Sequence, residues 1–288
     1  MAKAPPPGMS VADTAKWVAM YRAIESERQD PLFHDPYARR LAGAQGEDIL
    51  KRMPRARAFA WPMIVRTAII DELLMQAIER DRVDLIVNLA AGLDARPYRM
   101  QLPANLQWVE VDYPQTIEHK SKALAGEAPR CKLERIGADL ADVDSRPRLF
   151  ERINALGLRG LVITEGLMVY LTREQAGRFA QDLAAQPNFR YWMTDIVAPF
   201  IMKMMKRTWS RQLASAPFRF APEEGAAFYE QYGWRLDQYR STFLEARRLR
   251  RESNIAWLWR LLYPRFVRQE VNRRSGPMTG VALMLRQP

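Results

Sequence analysis

Ala90, Ala91 and Gly92 close a short apolar run, and Asp112 ends a second run twenty positions after Gly92. Small residues at such a turn let backbone N–H groups approach a ligand. A carboxylate at the tip of the following strand can then accept hydrogen bonds from two ribose hydroxyls. This pairing points to a nucleoside-containing cofactor. A dinucleotide would call for G-x-G-x-x-G, so that its pyrophosphate rests against a helix N-terminus, but those three positions hold Ala90, Gly92 and Ala95. The looser A-x-G turn suits S-adenosylmethionine, which carries an amino-acid tail and a sulfonium instead of a pyrophosphate. The plainer alternative is an ordinary strand-to-helix turn, and Gly92 without Asp112 would not separate the two.

Two further carboxylates follow apolar runs on the side where open α/β sheets bind ligands. Asp139, in Gly-Ala-Asp-Leu, could accept from the exocyclic amine of an adenine, with the backbone N–H of Leu140 opposite a ring nitrogen. Glu165 begins a loop, Glu-Gly-Leu-Met-Val-Tyr, that also holds a glycine and the phenol of Tyr170. Either acid could equally be a helix cap. Arg66 lies among Ile64, Val65, Ile69 and Ile70 and needs a partner, which could be Asp71, Glu72 or a bound carboxylate. Two isolated histidines and one cysteine cannot assemble a metal cage, so no metal is expected. Gly-x-Ser-x-Gly does not occur.

These residues need a frame of alternating strands and helices. From residue 84 short apolar runs alternate with helical stretches, as in a parallel sheet with crossover helices. Strands are expected at 85–89, 107–111, 132–137, 161–164, 190–196, 235–241 and 281–285, the last two as a closing pair. Helices are expected at 11–27, where Val11, Ala15, Val18 and Tyr21 or Arg22 form a stripe, and from Asp35, as N-cap, with Pro36 at the first helical position. Others are expected at 57–80, at 142–156 ended by Gly157, and from the Thr172 capping box to Ala185. Residues 199–213 mix methionine, aromatic and basic residues and read as a lid or a core helix.

The chain has 288 residues and a net charge of +11. Residues 203–274 carry sixteen Lys or Arg against seven Asp or Glu, so most of the excess sits in that quarter. Such charge could steer an anionic partner, or be no more than a solvated helix face. Within it, 243–274 reads as a basic, Trp-rich amphipathic insertion suited to a partner, an oligomer contact or a peripheral membrane surface. The single cysteine, Cys131, excludes an internal disulfide. No apolar run is long enough to span a membrane and the first residues lack a signal-peptide core, so a cytoplasmic location is expected.

Seven segments in order, TAKWVA, FHDPYA, VRTAIIDELL, VNLAAGLDARPYRM, VEVDYP, GADL and TEGLMVYL, resemble the leucine carboxyl methyltransferase family of S-adenosylmethionine-dependent enzymes. The resemblance runs from about residue 13 to 172. It implies a Rossmann-like α/β fold: a seven-stranded methyltransferase sheet, mostly parallel with an antiparallel last strand, plus a helical N-terminal segment and a helical lid. The expected layout is residues 1–83 as that segment and 84–288 as the core, with the lid at about 199–232, all in one structural domain. It further implies Arg66 and Lys16 on the cofactor carboxylate, the Ala90–Gly92 turn beside the methionine part, and Asp112 on the ribose. Asp139 and Leu140 would contact the adenine, and Glu165 would lie near the amino group. Ala90 stands where the family usually has glycine, which is tolerable if its backbone stays out of the left-handed region.

The expected activity is an O-methyltransferase acting on a small molecule or peptide, at a carboxylate or a hydroxyl, with Tyr170 orienting the acceptor. A carboxylate acceptor needs no general base, whereas a hydroxyl does. The alternatives are an RNA methyltransferase using the basic quarter, and a non-catalytic cofactor-binding or membrane-associated protein. Neither the acceptor nor the oligomeric state can be read from the residues.

Overall fold

The structure is a computed structural model that describes residues 10–52, 60–209, 214–252 and 279–288. Most of the insertion expected at 243–274, and part of the lid expected at 199–232, lie outside the described residues.

Seven strands form one sheet: β1 (Leu85–Leu89), β2 (Gln107–Asp112), β3 (Lys132–Gly137), β4 (Gly160–Thr164), β5 (Phe189–Ile196), β6 (Trp234–Ser241) and β7 (Gly280–Arg286). Their order is β3-β2-β1-β4-β5-β7-β6; β7 runs antiparallel to both neighbours and the remaining pairings are parallel. This is the expected sheet, and each strand lies within one residue of its predicted bounds. The reason is compositional for the central strands: β1 and β4 are buried throughout, so they read as mostly apolar runs, interrupted in β1 only by Asn88.

The nine helices among the described residues are α1 (Val11–Ser26), α2 (Ala38–Arg52), α3 (Ala60–Arg80), α4 (Arg96–Arg99), α5 (Pro114–Ala123), α6 (Arg146–Asn154), α7 (Arg173–Ala184), α8 (Pro199–Thr208) and α9 (Thr242–Arg248). Side chains alternate across each strand, so β1 sends Leu85, Val87 and Leu89 to one face and Ile86 to the other. The first face packs on Phe150 and Ile153 of α6 and on Phe179, Ala180 and Leu183 of α7. The second packs on Val65, Ile69, Leu73 and Ala77 of α3. A third cluster joins Trp17 and Tyr21 of α1 to Met202 of α8, Trp209 and Phe218, and so ties the first helix to the lid segment.

Two helix starts differ from expectation. Asp35 does not cap a helix at Pro36: its carboxylate pairs with Arg22 and accepts the Tyr37 N–H, a tight turn, and α2 begins at Ala38. Similarly Asp142 closes a turn by accepting from the N–H groups of Asp144 and Ser145, and α6 begins at Arg146, with proline in its first turn. The capping box at Thr172 is present as read, Thr172 accepting the Gln175 N–H and the Gln175 side chain accepting the Thr172 N–H. No helix among the described residues is long and apolar enough to cross a membrane.

Candidate active site

The parallel strands end on one side of the sheet, and the order reverses between β1 and β4, where ligands of open α/β sheets bind. A cavity of about 1120 Å3 opens there. It exceeds the roughly 300–1,000 Å3 of an ordinary ligand pocket and has room for two molecules. Its floor includes Asn88 and Ala90–Gly92 after β1, Asp112 of β2, Leu140 after β3, Glu165 and Gly166 after β4, and Asp195 of β5. Helices α1 and α3 form part of its walls, through Ala15 and Trp17 of the first and Arg66 of the second.

The turn after β1 is held from the next strand. The Ala91 N–H donates to the Val111 carbonyl, and the Gly92 N–H donates to Asp112 Oδ2 at 2.7 Å. The Tyr113 N–H donates to Asp112 Oδ1 at 2.7 Å, so both carboxylate oxygens are oriented. Ala90 (φ 54°) and Gly92 (φ 48°) are both left-handed. For Gly92 this is inexpensive, and a Cβ there would come within 3.3 Å of Ala15 Cβ. Ala90 departs from the expectation: its backbone lies in the left-handed region and carries the strain, of the order of 1–2 kcal/mol.

Beside the turn lies a chain of buried charges. Arg66 reaches Asp195 Oδ2 at 2.8 Å and Glu165 Oε1 at 3.0 Å. Arg96 takes the other Glu165 oxygen at 2.9 Å, Asp94 at 2.7 Å and Asp71 at 2.6 Å, and Arg99 takes Asp71 at 2.8 Å. Asp195 Oδ1 accepts the Gly166 N–H at 2.7 Å. Burial pushes the Glu165 pKa up, but the Arg66 and Arg96 guanidiniums outweigh it and hold the carboxyl below its ordinary value. Asp94 is likewise buried, and Arg96, then Lys120 and Arg22, bring it well below the carboxylate range. Burial works against the charge of Arg66 too, yet Glu165 and Asp195 leave its pKa raised. Each group is thus ionised because its partners are.

The far end of the cavity is different in kind. Trp17, Trp61, Met202, Met205, Phe218 and Tyr170 line it, with Arg219 at the rim. The Tyr170 hydroxyl donates to Thr14 Oγ1 at 3.1 Å, and its ring lies 5.4 Å from that of Phe218. Burial raises the Tyr170 pKa, so it stays a neutral phenol near neutral pH.

Of the residues singled out in the sequence, Arg66, Ala90, Gly92, Asp112, Leu140, Glu165 and Tyr170 line this one cavity. Lys16 and Asp139 do not. Lys16 Nζ donates to Gln45 Oε1 at 2.6 Å and lies 3.6 Å from Asp13, on a face of α1 turned toward α2. Asp139 is exposed and closes a turn by accepting the Ala141 N–H at 2.8 Å, with no helix beginning there, while Ala138 and Leu140 on either side of it line the cavity. Arg66 pairs with neither sequence-local candidate: Asp71 serves Arg96 and Arg99, and Glu72 serves Arg240 and Arg248. Sequence reasoning missed Arg96, Asp94, Asn88 and Asp195. Asn88, a polar residue within a buried strand, was the one legible signal; its amide donates to Asp94 Oδ2 at 2.8 Å.

Comparison with known proteins places this geometry among relatives. Residues 15–184 match the family described as leucine carboxyl methyltransferase. A Streptomyces coelicolor protein provisionally named an S-adenosyl-L-methionine-dependent methyltransferase is 36% identical over 174 residues, covering 56% of this chain and 60% of its own. One from Mycolicibacterium smegmatis, under the same provisional name, is 35% identical over 193 residues, covering 61% and 63%. This chain therefore spans somewhat over half the length of the curated relatives it matches. Among solved structures, a DUF574 family protein from Streptomyces avermitilis superposes with a TM-score of 0.59 at 13% identity over 99% of both chains. A protein from Thermobifida fusca provisionally named a methyltransferase does so at 0.59 and 12% over 100% of both, a likeness of fold.

Proposed function

This chain belongs to the leucine carboxyl methyltransferase family of S-adenosylmethionine-dependent enzymes, and from that premise we propose that it transfers a methyl group to an oxygen of an apolar acceptor. The observation that carries the reading is convergence: the Ala90–Gly92 turn, Asp112 and the Arg66–Glu165 pair border the same cavity. Their charges complement a zwitterionic amino-acid tail attached to a nucleoside. Asp112 has its oxygens oriented by two backbone N–H groups and retains lone pairs for two ribose hydroxyls. Arg66 faces the tail carboxylate and Glu165 its amino group, while Leu140 packs on the adenine. Lys16 has no part in this assignment, because it is engaged outside the cavity.

When bound, the cofactor supplies a methyl group on a sulfonium, whose S–C bond breaks as the acceptor oxygen forms its bond to that carbon. The protein's part is alignment and exclusion of water by the Trp, Met and Phe walls of the outer chamber. Tyr170, a neutral phenol whose proton rests on Thr14 Oγ1, would turn that O–H to the accepting oxygen and so orient it. Of the four carboxylates among the described residues that line the cavity, Asp112 is assigned to the ribose, and Asp94, Glu165 and Asp195 are tied to guanidiniums and poorly placed to collect a proton. This favours an acceptor oxygen that is already ionised, a carboxylate.

Titration calorimetry with S-adenosylmethionine tests the assignment. The wild-type protein should bind, and Asp112→Ala should bind at least ~10-fold more weakly through loss of charged hydrogen bonds. Absent binding by the wild type, or equal affinity in the variant, contradicts it.

A further inference from the structure

Beside the cavity, four cations that share one depression have no ion-pair partner among the described side chains. Lys203, Lys206 and Arg207 of α8 line a groove of about 580 Å3 together with Arg219, Met202 and Ala221. The spacing of the three α8 residues puts them on one helical face. All four cationic side chains are exposed, and none makes a hydrogen bond or ion pair with a described side chain; Arg219 is held only by its backbone N–H, which donates to the Val169 carbonyl. Among the described residues, no acidic one lines the groove. Lys206 and Arg207 complement the C-terminal end of α8, which accounts for those two. It does not account for Lys203 or for Arg219, and four uncompensated like charges around one depression repel one another. Elsewhere some exposed arginines are paired, as Arg39 is with Glu27 and Glu47, and others, such as Arg148, Arg178 and Arg235, pair with no described side chain; what sets the groove apart is that four such cations share one depression.

The groove adjoins the cavity. Met202 and Arg219 line both, and α8 turns Met202 and Met205 toward the chamber while presenting its cations to the groove. An apolar wall thus has a cationic groove beside it.

We propose that the methyl acceptor is an anionic amphiphile: its apolar body fills the Trp- and Met-lined chamber, and a carboxylate or phosphate group separate from the methylated oxygen is held by Lys203, Lys206, Arg207 and Arg219. This rests on the reading of the cavity as a methyl-transfer site and adds the substrate class. A nucleic acid fits less well, because four cations around a small depression make no extended stripe along which a phosphate backbone could run.

Two fluorescent probes with nearly the same aromatic body test it, anilinonaphthalene sulfonate, which is anionic, and N-phenylnaphthylamine, which is neutral. The wild-type protein should prefer the anion by at least ~10-fold, and Lys203→Ala/Lys206→Ala/Arg207→Ala should remove most of that preference while leaving the neutral probe's affinity unchanged. A second variant, Lys203→Ala/Lys206→Ala, should do so in part, and circular dichroism identical to wild type shows that both fold. Dodecyl phosphate should displace the anionic probe far better than dodecanol or inorganic phosphate does. Equal affinity for the two probes, equal loss of both in the variants, or displacement by inorganic phosphate alone overturns the proposal, as does displacement by a single-stranded oligonucleotide at lower concentration than dodecyl phosphate. S-adenosylmethionine calorimetry on the same samples separates the two layers. Cofactor binding without the anion preference sinks only this inference, whereas no cofactor binding sinks the reading beneath it.

Discussion

At the scale of single residues, Glu165 is the most consequential group. Each of its oxygens is held by a different guanidinium, from α3 and α4, so one carboxylate joins elements far apart in the chain. Burial alone would raise its pKa, but Arg66 and Arg96 bring it below the ordinary value. It therefore loses its proton more readily in the folded chain than in the unfolded one. The stability it contributes is present above the unfolded value of about 4.3 and is lost as the pH falls through the lower folded value. Asp94, depressed further, adds to the same acid-side loss. Urea unfolding should show stability level through the neutral range and falling below about pH 4. Glu165→Gln should start about 3 kcal/mol less stable at neutral pH, since it leaves two buried cations short of a partner. It should then lose less on acidification than the wild type does, and an identical acid slope in both proteins would count against the network.

At the scale of elements, the turn after β1 governs the site. Two left-handed residues, Ala90 and Gly92, bracket Ala91 and present the Gly92 N–H to Asp112, while α1 presses Ala15 against the turn. Gly92→Ala should cost about 1–2 kcal/mol from its left-handed backbone, and more from the contact with Ala15. We expect a lower Tm and weaker S-adenosylmethionine binding together; a variant unchanged in both would mean that the turn does not need its glycine. The central strands β1 and β4 were legible in the sequence as short, mostly apolar runs, and the flanking ones, such as β3 and β6, by their alternation of apolar and polar residues between helical stretches. So was the Gly92–Asp112 relation, since the strand–helix–strand unit sets their spacing. The starts of α2 and α6 were less so. Asp35 looks like a cap until Arg22, thirteen positions earlier, is seen to claim its carboxylate, and that is a tertiary contact. The partners of Arg66 and Arg96 were hidden for the same reason, lying up to 129 positions away. Lys16 carries the right charge for a cofactor carboxylate, but only packing shows that α1 directs it to Gln45.

At the scale of the whole molecule, the N-terminal helices complete the cavity that the sheet begins. Helix α1 supplies Thr14, Ala15, Trp17 and Val18 to the wall. It is anchored by Arg22, which pairs with Asp35 and donates to the Leu93 carbonyl, and by Arg251, which pairs with buried Glu25 at 2.8 Å. A bare sheet edge would leave the strand ends in water; with α1, α3 and α8 over them they face a chamber polar at one end and apolar at the other. The account stands on a single ligand spanning the polar end, from Asp112 to Arg66 and Glu165. A crystal structure of the protein with S-adenosylhomocysteine tests that directly. The account predicts ribose density within hydrogen-bond distance of Asp112 and the amino-acid end against Arg66 and Glu165. Ligand density anywhere else, or an empty cavity at saturating ligand, would contradict it.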